Sequence, residues 1–234
     1  GRKVVRLERR GKYLLWRIEH GTLISHLGMS GSWRIHPGGA PPPGRHDHVD
    51  VTVEQPQGGS VLRLTDPRRF GALLWQRGGE QALRRSALLA RLGIEPFDPR
   101  FDGGFLHQHT RGRRGPIKQV LLAGDLVVGV GNIYASESLF EAGIDPRTPA
   151  MRLSRPRCER LAQAIRAVLA RAIETGGSSL RDFVGADGRS GYFTLAAQVY
   201  ERNGLACLRC GRAAIRRIVQ SARATYFCPH CQRR

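Results

Sequence analysis

Cys207-Leu208-Arg209-Cys210 and Cys228-Pro229-His230-Cys231 stand 17 residues apart near the end of a 234-residue chain. Two C-x2-C pairs at this spacing read as a structural zinc ribbon. Each pair sets two thiolates on one turn, and the turns face each other across a short hairpin to complete a tetrahedron around one Zn2+. The gap supplies strand-like runs at 214–219 and 224–227. A four-thiolate set is closed, hence structural rather than catalytic; a pair of disulfides would use the same spacing. Thiols kept for a metal, with no apolar leader after Gly1-Arg2-Lys3-Val4-Val5, point to a cytoplasmic setting. The fifth cysteine, Cys158, lies in a helical stripe with Leu161, Ile165, Val168, Leu169 and Ile173, and reads as a buried core thiol rather than a nucleophile.

Upstream of the ribbon the pattern is helical. Ser154 precedes a long amphipathic run to Glu174 that stops at Gly176-Gly177. Residues 132–142, after Gly129-Val130-Gly131, and residues 117–122 predict two shorter helices. The Gly-, Ser- and Asp-rich stretch 176–193 predicts an exposed loop, with Asp182 and Asp187 as turn residues. Glu95-Pro96-Phe97-Asp98-Pro99 predicts a linker. Before it, short β-branched or apolar runs at 4–7, 13–18, 22–27, 49–53, 61–64 and 72–75 alternate with turn residues, the pattern of a sandwich or barrel. His36 to Gly44 predicts a loop, and His46-Asp47-His48 a polar strand entrance in preference to a metal cluster.

The chain carries 38 Lys and Arg against 19 Asp and Glu, a formal charge of +19. That excess argues for a polyanionic partner, because basic surfaces recruit phosphates by releasing counterions. Only three of the basic residues are lysines (Lys3, Lys12 and Lys118), a skew that a GC-rich genome produces as readily as selection for guanidinium forks. No apolar run approaches the ~18 residues of a membrane span, so no membrane partner is expected.

Four segments together resemble formamidopyrimidine-DNA glycosylase: His26-Leu27-Gly28-Met29-Ser30-Gly31-Ser32, Thr65-Asp66-Pro67-Arg68-Arg69-Phe70-Gly71, the stretch Val128-Gly129-Val130-Gly131-Asn132-Ile133-Tyr134-Ala135-Ser136-Glu137, and the terminal cysteine pairs. They occur in the family's order across essentially the whole chain. The resemblance implies an α+β multidomain fold: an N-terminal β-sandwich, incomplete here, over 1–97; a helix–two-turn–helix domain over 98–195; and a β-hairpin zinc finger over 196–234. It implies a base-excision repair enzyme, a glycosylase and abasic-site lyase for oxidised purines such as 8-oxoguanine and formamidopyrimidines. Its partner is double-stranded DNA, and it is bacterial, monomeric and nucleoid-associated. An enzyme working on a stacked base must extrude it and hold the duplex open. Met29, Arg68 and Phe70 match the family residues that fill the gap. Met adapts to an irregular void, Arg offers a planar donor fork to the orphaned base, and Phe wedges between base pairs. Read without the resemblance, Met29 and Phe70 read first as sandwich core and Arg68 as surface. Lys12, His26, Asn132 and Arg223 match family positions that grip the backbone around the flipped nucleotide. Lys118 matches a lysine near the lesion, and 176–193 the loop that covers it.

The family's N-terminal proline nucleophile and adjacent glutamate have no counterpart, so no catalytic residue is assigned and the chain reads as a truncated, potentially inactive glycosylase. Removing sandwich strands bares apolar surface, and residues 1–97 are expected to be less stable than 99–234. Two alternatives stay open: an endonuclease VIII-type glycosylase for oxidised pyrimidines, against which the full Met29, Arg68 and Phe70 set weighs, and a non-enzymatic zinc-ribbon binder of RNA.

Overall fold

Period-two alternation builds the first part of the chain. Val4–Arg10 (β1), Tyr13–Ile18 (β2), Gly21–His26 (β3) and Ala72–Arg77 (β7) form an antiparallel sheet in the order β1-β2-β3-β7. Ser32–Pro37 (β4), Asp47–Val53 (β5) and Ser60–Thr65 (β6) form a second, in the order β4-β6-β5. The computed structural model describes residues 1–54, 56, 58–177 and 197–234. They divide into two compact units, residues 1–90 with 176–177, and residues 91–175 with 197–234. The architecture is α+β.

In the first unit, neighbours on β2 serve opposite faces of their sheet, as the pleat requires. Trp16 packs toward the second sheet against Trp33 and Leu64, with the two indoles 5.4 Å apart. Leu15 packs on the other side with Ile24 and Leu83, the latter from the short helix Glu80–Arg84 (α1). The strand Ser32–Pro37 corrects the loop expected from His36: Trp33 is anchored by its indole N–H to Ser25 Oγ at 3.0 Å, and the Pro- and Gly-rich run starts only after the pairing ends. Val4, Val5 and Leu7 on edge strand β1 stay exposed, as do Leu74 and Trp75 on β7.

The second unit holds most of the deeply buried side chains. Gly103–Thr110 (α2), Ile117–Ala123 (α3), Asn132–Glu141 (α4) and Arg155–Glu174 (α5) enclose Phe101, Leu106, Ile117, Leu121, Leu139 and Leu161. Helix α2 escaped the sequence reading because Gly103 and Gly104, poor helix formers, open it. Asp102 caps it by accepting from the Phe105 amide, and Gly103 lies against α5 so closely that a Cβ would sit 2.4 Å from the Glu159 Cα. Cys158 is fully buried as expected, whereas Ile173 faces solvent at 67% exposure because the stripe runs out in the last turn. Ser154 occupies the N-cap of α5 without a capping side-chain bond. The expected linker is packed rather than loose: Arg166 donates to the Pro96 and Asp98 carbonyls. Residues 178–193 of the predicted loop, with Asp182 and Asp187, lie outside the described residues.

The difference in burial carries a prediction. Amide exchange is expected to be faster throughout the sheets of residues 1–90 than in α4 and α5, because local opening free energy follows buried apolar contact. Equal protection in both units would contradict it.

Candidate nucleic-acid interface

Two turns of the first unit are braced by one carboxylate. Asp66 is buried, and its two oxygens accept from Ser30 Oγ and the Gly71 amide, each at 2.7 Å. Ser30 Oγ in turn accepts from the Arg68 amide at 3.2 Å. Burial pushes the Asp66 carboxyl up, but the bonds from Ser30 and the Gly71, Arg68 and Arg69 amides outweigh it and hold the group below its ordinary 3.8. Gly28 locks the turns back to back. Its φ is +62°, and a Cβ there would stand 2.5 Å from the Phe70 carbonyl carbon.

The brace displays what a core would hide. Met29 is 66% exposed and Phe70 58% exposed, with the Arg68 guanidinium 5.2 Å from the Phe70 ring centre. Of the two readings the sequence allowed for Met29 and Phe70, packing inside the sandwich is excluded by this exposure. His26 ends β3 beside them, its Nδ1 accepting from the Gly28 amide at 3.1 Å. Burial, then the charge of Lys12, lowers its pKa, so the ring is neutral and its Nε2 carries the proton as a donor. His46, Asp47 and His48 do not gather around a metal position. His48 bonds the Asp66 carbonyl at 2.9 Å, while Asp47 accepts from Thr65 and pairs with Arg63.

Asp66→Asn tests the brace. An amide cannot accept at both oxygens, and a stranded buried partner costs about 1–3 kcal/mol. A depressed carboxyl stabilises above its unfolded pKa and loses that contribution as pH falls through the folded value. The variant is therefore expected to melt lower than wild type at pH 7, with the gap closing as pH falls through the folded-state pKa, which lies below the ordinary 3.8. A gap that persists in acid would show that the charge is irrelevant.

In the second unit the remaining residues meet a β-hairpin. Arg216–Gln220 (β8) and Arg223–Phe227 (β9) pair around Ser221 and Ala222, both at positive φ (47° and 60°), the backbone of a tight two-residue turn. Arg223 projects from it into solvent. Lys118 does not: it is wholly buried, its Nζ donating to Thr225 Oγ1 at 2.7 Å and the Ala224 carbonyl at 3.1 Å. Asn132, the first residue of α4, donates to the same carbonyl at 2.9 Å. Its amide also lies 3.4 Å from the Tyr200 hydroxyl, and Tyr200 meets Tyr226 edge-on at 5.0 Å. The chain before Tyr200 is held by Glu137, a buried carboxylate accepting from the Gln198, Val199 and Tyr200 amides. The sequence reading missed Asp66, Thr225, Glu137 and Tyr200 as parts of the site, although Asp66 and Glu137 stand inside quoted motifs.

Cys207, Cys210, Cys228 and Cys231 converge, with all four sulfurs within 4.8 Å of one another. Two pairs, Cys207–Cys231 and Cys210–Cys228, lie 3.9 and 3.8 Å apart. Zinc–sulfur bonds of about 2.3 Å in a tetrahedron require sulfur separations of about 3.8 Å, so the donor set fits one zinc ion. The Arg212 amide draws the Cys210 thiol down to about 6, while burial pushes Cys228 and Cys231 up. Four thiolates at this spacing need a dication to coexist. Phe140, Val199, Ile215 and the buried cysteines seat this finger on α4.

Three family models match in chain order: the formamidopyrimidine-DNA glycosylase N-terminal domain over 1–73, the formamidopyrimidine-DNA glycosylase H2TH domain over 92–184, and the zinc finger found in FPG and IleRS over 204–234. The relative from Bordetella avium named formamidopyrimidine-DNA glycosylase is 62% identical over 234 residues, covering 100% of this chain and 83% of that protein. This chain belongs to the formamidopyrimidine-DNA glycosylase family. The Cupriavidus pinatubonensis glycosylase is 59% identical over 240 residues, covering 99% of this chain and 84% of its own. Among solved structures, the MutM (Fpg) protein of Thermus thermophilus matches with a TM-score of 0.87 at 40% identity, over 99% of this chain and 84% of that one. Lactococcus lactis Fpg in complex with abasic-site DNA matches with a TM-score of 0.87 at 34% identity, over 100% of this chain and 83% of that one. Helices α3 and α4 both lie within the span that the H2TH model matches. The joining turns bury Leu126, Val127, Val128 and Val130, which fixes the start of α4 and with it Asn132.

Proposed function

We propose that this chain serves base-excision repair as a DNA glycosylase and abasic-site lyase of the oxidised-purine class, and that the residues above are its duplex-opening and backbone-gripping parts. The observation that carries the reading is the exposed Met29, Arg68 and Phe70 set on turns braced by Asp66. Extruding a base costs a few kcal/mol, least at a damaged or abasic position. Apolar side chains that fill the vacated stack repay part of it, and a guanidinium meets the unpaired base with a donor fork. Neutral His26, Lys12 and Arg223 supply backbone contacts, and the formal charge of +19 makes binding salt-dependent. Zinc, held by the four cysteines, rigidifies the hairpin that carries Arg223 and takes no part in bond breaking. We further propose a division at 1–97, 98–195 and 196–234, and a monomer working at the bacterial chromosome. Among the described residues no helix is long and apolar enough to cross a membrane.

The test is binding of this chain to duplexes carrying 8-oxoguanine or a stable abasic analogue, with undamaged duplex and structured RNA alongside. Damaged duplex is expected to bind tightest. Alanine at Met29, Arg68 and Phe70 together is expected to erase the preference, a loss of about 10–100-fold on the damaged duplex, with the binding to undamaged DNA retained. Tighter binding to RNA than to damaged duplex would overturn the reading. Borohydride trapping on the same duplexes reports whether an amine of this chain reaches the sugar C1′.

A further inference from the structure

Lys118 is one of three lysines in the chain, and its ammonium is buried with its acceptors more than a hundred residues away on the zinc hairpin. One acceptor, the Ala224 carbonyl, also takes the Asn132 amide. The other, Thr225 Oγ1, is the shorter contact, and Thr225 is itself wholly buried. Two residues back, on the other side of Ala224, stands Arg223, the exposed end of the hairpin. Lys118, Asn132 and Arg223 therefore share two adjacent residues of β9 as their common seat. We propose that Thr225 is a positioning residue of the recognition surface: its hydroxyl fixes the Lys118 ammonium on the zinc hairpin and thereby sets the place of Arg223 and Asn132. This rests on the reading of those three residues as DNA contacts.

The chemistry explains why a hydroxyl is needed. A buried ammonium persists only with good acceptors, and Lys118 has two named ones. Burial, and then the charge of Arg223, lowers its pKa to about 7, so it sits at the edge of losing its proton. Among the described residues, these groups lie around its seat. Arg223 comes from the same strand, α4 contributes the uncharged Asn132, and Tyr200 reaches the seat through Asn132, its phenol held up by burial. Asp145, near the Pro146 carbonyl that accepts the Lys118 amide, is committed to Arg147. Valine fits a strand position as well as threonine does, so Thr225→Val removes the hydroxyl alone.

With lysine labelled with 15N, the chain has three Nζ signals to follow. In wild type the Lys118 signal is expected to titrate near neutrality; in Thr225→Val its midpoint falls by about one unit, and Thr225→Ser restores it. Affinity for abasic-analogue duplex at pH 7 is expected to fall about tenfold in Thr225→Val and return in Thr225→Ser, with one zinc retained in all three. An unchanged Lys118 midpoint, or an unchanged affinity, would overturn the proposal. If Thr225→Val does not fold, Thr225→Val with Lys118→Met is expected to fold, because no charge is then stranded; failure of the double variant would equally overturn it. Loss of wild-type preference for damaged duplex would instead sink the functional reading, and the lysine titration would still judge the Thr225 contact.

Discussion

Cys210→Ser is expected to release the zinc and cut duplex affinity more than a hundredfold while leaving the helical signal of the chain nearly intact. The finger spans fewer than 40 residues, too few to bury a self-sufficient apolar core. Among the described residues its buried apolar side chains are only Ala197, Val199, Ile215, Phe227, Cys207 and Cys228, beside the buried polar Thr225 and Gln232. The metal therefore supplies most of its stability, on the order of 10–16 kcal/mol in isolated zinc fingers at neutral pH. Without it the four thiols sit about 4 Å apart with nothing to offset their repulsion on ionising. The hairpin then loosens, Arg223 loses its base, and Lys118 loses both named acceptors. Helices α2 to α5 keep the core around Phe101, Leu121 and Leu161, which owes nothing to the finger. Metal analysis and circular dichroism on the same sample check the two halves. One zinc retained per chain in the variant would show that three thiolates suffice.

Gly28→Ala is expected to destabilise the first unit by about 2–4 kcal/mol and to weaken damaged-duplex binding by at least tenfold. Two costs add. A side chain at φ near +60° costs about 1–2 kcal/mol. A methyl group 2.5 Å from the Phe70 carbonyl carbon, 2.6 Å from its oxygen and 2.7 Å from the Gly71 nitrogen meets backbone on every side, so one turn must move. The Gly71 amide then leaves the Asp66 carboxylate, and Met29 and Phe70 lose their register. Denaturant melts and duplex titrations on the variant are the check. A variant that binds like wild type would mean that the separation of Met29 and Phe70 is unimportant to recognition.

Much of the molecule was legible beforehand because it depends on local patterns. Period two placed β2, and the apolar stripe through Leu161 and Ile165 placed α5, since one face of each element must be dry. Helices opening on Gly103-Gly104 and on Glu80 were not legible, because their own propensity is weak and packing against neighbours forms them. The zinc hairpin was legible from its two strand-like runs, although its turn, Ser221-Ala222, lacks the usual asparagine–glycine signature and is held at positive φ by strand pairing together with the cysteine cluster.

By itself the sequence determined the four zinc ligands and the family, and it nominated the side chains we propose meet DNA, because cysteine spacing and short motifs are local and chemically specific. Tertiary structure alone decided which of those side chains are free to act. Met29 and Phe70 stand in solvent because Asp66, 37 and four residues away, holds their turns from beneath. Lys118 reads in sequence as a lysine near the lesion, yet its side chain is buried. Its fate depends on Ala224 and Thr225, more than a hundred residues along the chain, and burial of a charge is governed by whichever acceptors the fold brings to it.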